Sequence, residues 1–214
     1  MHLKKVLLAI VPIIFCLFSC KNKTSDFWNN AQLEETNAYI AYRGTETKQG
    51  FFARDFNLKD TLSSHVGILL YDEDNWLVFN VSDFKDGGSD FRKQNIRDFY
   101  GLAEEKINSA SLWRIDLDST EVMKLKMLIH TYESRFINFD RYFTLNDSTK
   151  LYCSQFVKDV LVQTDSSNFH FEPVKRALGG IYKSYFRKDT LEYYPVDLFQ
   201  SNDRIKKIGE WTFK

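Results

Sequence analysis

Residues 63–81 read SSHVGILLYDEDNWLVFNV. Two apolar runs flank an acidic turn at Asp72 to Asn75, which predicts a β-hairpin over 66–81. A histidine, His65, stands at the mouth of its first strand. Working outward, NAYIAYRG (37–44) and SASLWRID (109–116) alternate loosely and read as further strands. Residues 50–60 read as loop or short structure, and 83–90 as a loop holding Gly87 and Gly88. The stretch 118–136 predicts a helix: Asp118 and Glu121 are spaced as a capping box, and apolar residues fall at 122, 125, 128, 129, 132 and 136. A second helix is expected over 153–164, where Phe156, Val157, Val160 and Leu161 share a face. Residues 137–150 read as an irregular connection. Pro173 and Pro195 mark turns, and a last strand is expected near 204–213. Strands, two helices and a strand in that order predict an α+β domain with an antiparallel sheet packed against helices.

The 214 residues suit one domain, with aromatics at 16% and enough apolar matter for a sizeable core. Lys plus Arg equals Asp plus Glu at 29 each, and no basic run stands out after residue 25. Nucleic acid is therefore not an expected partner. Residues 1–19 form a separate object. A short basic segment, MHLKK, precedes fourteen apolar residues, VLLAIVPIIFCLFS, too few to span a bilayer comfortably and enough for a secretory signal. The segment ends LFSC and then turns polar. That ending resembles the lipobox of bacterial lipoproteins, with Leu17 at minus three, Ser19 at minus one and Cys20 as the lipidated residue. An ordinary signal peptide or an anchor helix is the alternative. The expected division is a signal over 1–19, a lipidated tether over 20–27 and the domain over 28–214. Lipid chains on Cys20 would place the protein in the cell envelope, on the outer membrane in a Gram-negative cell.

With Cys16 in the signal and Cys20 lipidated, Cys153 is the one cysteine left in the domain, so it has no internal disulfide partner. Cysteine is commonly a small buried apolar residue. At the start of a helix, however, free N–H groups and the positive dipole end favour the thiolate and offer donors to an oxyanion. Such a nucleophile wants a base. His130 falls inside a predicted helix and His170 in a polar loop. His65, at the end of a rigid strand, is the better placed of the three. A third group usually fixes the imidazole. Asn80, a polar residue in the apolar run WLVFNV, returns beside His65 across the hairpin; Asp83 and Asp86 are also within reach by sequence. The histidines form no ligand-spaced cluster, so neither a metal nor another cofactor is expected.

SSHVGILLYDEDNWLVFNV followed much later by YCSQFV (152–157) resembles the circularly permuted branch of the papain-like NlpC-type cysteine hydrolases, the YiiX/YebB-like group. In that branch a His strand precedes the Cys helix, as His65 precedes Cys153 here. AYIAYRG stands where the family has a strand opening Gly-Asp, replaced here by Asn37-Ala38. YYPVDLFQSNDRIKKI resembles its closing P-x-D segment. The resemblance implies a papain-like fold with Cys153 at a helix N-terminus as nucleophile and His65 as base. The third position is often Glu there, and Asn80 matches it best. Gln155 replaces a Glu of the family's Cys string. The implied chemistry is acyl transfer without a cofactor, on cell-wall peptides or on lipid acyl groups. A catalytically inactive binding module is the remaining option.

Overall fold

The computed structural model describes residues 27–84, 87–101 and 106–213. In chain order its elements are β1 (Ala38–Thr45), α1 (Lys48–Asp55), β2 (His65–Asp72), β3 (Asn75–Val81), β4 (Phe91–Asn95), α2 (Ile96–Tyr100), β5 (Ile107–Ile115), α3 (Ser119–Glu133), β6 (Asn138–Phe139), β7 (Lys150–Leu151), α4 (Cys153–Thr164), β8 (Val174–Ala177), α5 (Gly180–Phe186), β9 (Thr190–Tyr193) and β10 (Ile205–Thr212). Six strands form one antiparallel sheet in the order β10-β5-β1-β2-β3-β4. The α+β class with helices packed on an antiparallel sheet is thus the observed one.

The hairpin forms because its turn residues accept the backbone the turn needs. Glu73 and Asp74 both take positive φ, 48° and 59°, which lets β3 return with the right-handed twist of the strands. Alternation then sends side chains to two apolar layers. One layer joins Val66, Ile68 and Phe79 to α3 and α4 through Leu125, Ile129, Phe156 and Val160. The other joins Tyr39, Leu69 and Val78 to Phe99 and Tyr100 of α2 and to Phe27 and Trp28. Phe27, the last residue of the expected tether, is buried among Trp28, Tyr100 and Trp211, so packing already includes it. A third cluster, around Phe56, Phe186, Leu191 and Tyr193, joins α1 to the β8-α5-β9 segment.

The capping box is formed: the Asp118 carboxylate accepts from the Glu121 N–H at 2.8 Å, and Glu121 accepts from the Asp118 N–H at 2.8 Å. α3 ends at Glu133, short of the expected 136. The described part of 83–90 is a loop, as expected, and it is followed by β4 and α2, for which the sequence gives no signal. Within the connection after α3, β6 and β7 form a two-residue parallel ladder that leads directly into α4. Among the described residues no helix is long and apolar enough to cross a membrane. Residues 1–26, including Cys20 and the expected signal, lie outside the described residues.

Candidate active site

His65 opens β2, and the loop before it is fixed by two carboxylates. Asp197 accepts from the N–H groups of Leu58, Lys59 and Asp60 at 2.7–2.9 Å. Asp60 accepts from Leu62 N and Ser63 N, and from the Gln200 amide. Asp197, in the stretch Pro195-Val196-Asp197, thus grips the loop that leads into β2.

The ladder between β2 and β3 pairs Ile68 with Phe79 and does not extend to the mouth of β2. Extrapolated, that register puts Gly67 opposite Asn80, with His65 one diagonal step away on the same face. A side chain on Gly67 would come within 2.9 Å of the Phe79 carbonyl and 3.0 Å of Asn80 Cβ. Glycine therefore leaves the room through which His65 reaches Asn80. The imidazole Nε2 lies 3.0 Å from Asn80 Oδ1. The Asn80 amide nitrogen donates in turn to Gln94 Oε1 at 2.9 Å. That second bond fixes which way the amide faces, so Oδ1 accepts from Nε2–H and the ring's Nδ1 keeps its lone pair.

Arg43, opposite His65 in the sheet, is 2% exposed. Its guanidinium donates to the Phe99 carbonyl at 2.8 Å and lies over the Phe99 ring. The same ring packs 5.8 Å from the imidazole. Burial, with the Arg43 charge added, pulls the His65 pKa from 6.5 down to about 3, and the Asn80 bond only partly opposes this. The imidazole is therefore neutral at physiological pH.

Cys153 is the first residue of α4. Its neighbours on both sides clamp to one backbone unit: Tyr152 Oη accepts from Tyr194 N at 2.8 Å, and Ser154 Oγ donates to Tyr194 O at 2.6 Å. Tyr152 provides no side-chain cap, so the first-turn N–H groups are not taken by a capping side chain. Burial pushes the thiol pKa up. The backbone N–H groups of Val66 and Ser154, the Ser154 hydroxyl and the Arg43 charge work against that rise without cancelling it. A resting thiolate, expected from the helix start alone, is therefore not the favoured state: desolvation outweighs the local donors.

The sulfur thus lies by the peptide that joins His65 to Val66, within the cluster that packs Val66. The imidazole lies against Phe99 of the other cluster. Between them is the mouth of β2, where the β3 ladder has not begun. The structure joins His65 to Asn80 directly and brings Cys153 to the backbone next to His65.

The other candidates are committed elsewhere. Asp83 forms a two-pronged pair with Arg141 at 2.9 and 2.6 Å, and Asp86 lies outside the described residues. His130 sits between Glu133 and Asp72 on α3, and the exposed His170 pairs with Glu172. Gln155 is buried, its amide nitrogen 3.5 Å from the Leu145 carbonyl and its Oε1 without a partner. Among the described residues no group of three or more His, Cys, Asp or Glu side chains is arranged to hold a metal ion. Sequence reasoning missed Arg43 and Gln94. Arg43 ends a strand in AYRG, where a charge reads as solvated, and Gln94 sits in the unanticipated β4.

No family model and no curated protein matches the chain. Among solved structures, the metalloprotein YiiX from Escherichia coli O157:H7 has a similar fold, with a TM-score of 0.60 at 13% identity, covering 83% of this chain and 98% of that one. The fold is YiiX-like.

Proposed function

We propose that this protein is a cysteine hydrolase of the cell envelope that works by acyl transfer, on a permuted papain-like version of this fold. Cys153 is the nucleophile, His65 the base and Asn80 the residue that orients the ring. One observation carries the reading: the His65 Nε2–Asn80 Oδ1 bond of 3.0 Å, which leaves Nδ1 without a partner in that pair, while Cys153 begins α4 with its sulfur at the Val66 N–H, the peptide next to His65.

The chemistry starts from a neutral thiol and a neutral imidazole. As the sulfur attacks the substrate carbonyl, the thiol proton passes to His65 Nδ1 and a C–S bond forms. The oxyanion is met by first-turn N–H groups of α4. The C–N bond then breaks, the leaving amine takes the proton from His65, and a thioester remains on Cys153. Water, deprotonated by His65, releases the acyl group and restores the thiol. Asn80 holds the tautomer but supplies no charge, so the imidazolium is stabilised less than a Glu would stabilise it. No cofactor is needed.

The substrate we favour is a cell-wall peptide amide. A lipoprotein anchored through Cys20 would face such material, and residues 20–26 would be the tether. A second reading, hydrolysis or transfer of a lipid acyl group, is favoured by one feature of the site. The Phe143 ring lies 4.5 Å from Tyr152, the residue before Cys153, and connects it to Phe186 and Tyr193. Incubating the purified protein with muropeptides and with phospholipids, followed by mass spectrometry, separates the two. Cleaved muropeptides are expected; fatty acid release with intact muropeptides would reverse the order, and no product from either would favour a binding module.

A further inference from the structure

The balanced total of charge hides a local imbalance. Residues 173–188 read PVKRALGGIYKSYFRK, with five cations and no acid. Lys175, Arg176 and Lys183 are paired with Glu192, Asp55 and Asp189, whereas Arg187 and Lys188 are exposed at the C-terminal end of α5. Around them stand large apolar side chains open to solvent. Ile181 is 66% exposed, Phe51 60%, Tyr142 57% and Tyr185 49%. The rings form a continuous strip: Phe51 to Phe52 at 6.4 Å, Phe52 to Tyr185 at 6.3 Å, and Tyr185 stacked on Tyr142 at 6.4 Å. A cavity of about 660 Å³ opens within the strip, lined by Tyr142, Thr144, Tyr185, Arg187 and Lys188. Lys188 donates to the Tyr142 carbonyl at 3.2 Å, which holds its ammonium at the rim.

From this we infer that the face formed by α1, α5 and the 142–144 loop docks on an anionic bilayer surface, with lipid phosphate at the Arg187–Lys188 rim and Phe51 and Ile181 in the acyl boundary. Exposed aromatic and aliphatic side chains mixed with Lys and Arg fit a membrane interface, where tyrosine rings sit at headgroup depth and cations meet anionic lipid. They fit a protein partner less well, because protein interfaces are depleted in lysine at their centres. The docking stands without the acyl-transfer reading and would orient the domain whichever substrate it cuts.

The test uses the full chain floated with phosphatidylcholine vesicles, with and without phosphatidylglycerol, and hydroxyl-radical labelling of the floated fraction. Labelling of Phe51, Ile181 and Tyr185 is expected to fall several-fold on the phosphatidylglycerol vesicles. Met123 and Met127, exposed on the outer face of α3, should label equally on both and serve as the internal control. The double variant Arg187→Glu, Lys188→Glu should restore labelling of the patch to its level on phosphatidylcholine. Equal patch labelling on both vesicles, or no flotation with either, would overturn the proposal. Protection that arises without vesicles and grows with protein concentration would overturn it too, by assigning the face to a second copy of the chain.

Discussion

The two halves of the candidate site are held in opposite ways. On the hairpin, the imidazole is fixed by side chains: Asn80 holds it and Gln94 holds Asn80, while burial, with the Arg43 charge added, keeps it neutral. On α4, the sulfur is governed chiefly by burial and by backbone N–H groups, with the Ser154 hydroxyl and the Arg43 charge as smaller influences, while Tyr152 and Ser154 anchor the helix start to the backbone of Tyr194. A half built from side chains is sensitive to single substitutions. A half built mainly from main chain is less so, except at the cysteine itself. The site should therefore be fragile on one side and tolerant on the other.

Breaking the fragile side is expected to have the largest effect. Asn80→Ala leaves the buried His65 N–H and Gln94 Oε1 unpaired, a cost of about 1–3 kcal/mol in stability, measurable by urea unfolding. It also frees the ring tautomer, so acylation of Cys153 by an activated ester should slow by roughly 10- to 100-fold. Gly67→Ala sharpens the comparison without removing a polar side chain. The added methyl meets Val78 Cγ1 at 2.8 Å and the Phe79 carbonyl at 2.9 Å, and such overpacking costs about 1–3 kcal/mol. On the tolerant side, Ser154→Ala removes the hydroxyl's hydrogen bond to Tyr194, worth about 1 kcal/mol, and its bond to the sulfur, but leaves the backbone donors of Val66 and Ser154 in place, so it should slow acylation far less than Asn80→Ala. A Ser154→Ala variant as slow as Asn80→Ala would erase the asymmetry.

The asymmetry also has a pH signature. The unfolded chain protonates His65 near the ordinary value of 6.5, while the folded chain resists until about 3. Below pH 6.5 the unfolded state therefore binds the extra proton, and stability falls as pH drops through that window, by at most about 1.4 kcal/mol per pH unit. Asp60, whose pKa is lowered in the fold by its hydrogen bonds despite burial, adds a further loss only near and below the ordinary carboxylate range. The stretch from pH 6.5 to about 5.5, above the range in which carboxylates such as Glu133 begin to protonate in the unfolded chain, thus belongs to His65. Unfolding of His65→Gln in urea should be flatter with pH across it.

The hairpin was readable because two independent signals agree there. Apolar strands flank an acidic turn, and Asn80 interrupts an apolar run on the face that His65 shares. α3 was readable from its capping box and spacing, and α4 from its apolar face. β4 was not, because FRKQN carries no apolar alternation and its burial is partial; Gln94 was lost with it. Arg43 was hidden because a charge at a strand end reads as solvated, whereas here an aromatic ring and a carbonyl of α2 take it in. The β8-α5-β9 segment was missed for a related reason. Its elements are four to seven residues long and bury few side chains, so no periodicity develops. The thiol's protonation was misjudged from local geometry because burial is a property of the whole packed cluster and does not appear in the string YCSQF.

The central claim is that His65 takes the proton from Cys153. Its most direct measurement is the rate of acyl-adduct formation with a p-nitrophenyl ester, followed by intact mass and located by peptide mapping, in the parent, Cys153→Ala and His65→Ala proteins. The account predicts one adduct on Cys153, none in that region of Cys153→Ala, and a rate in His65→Ala lower by roughly 100-fold or more. Equal rates in the parent and His65→Ala would contradict it.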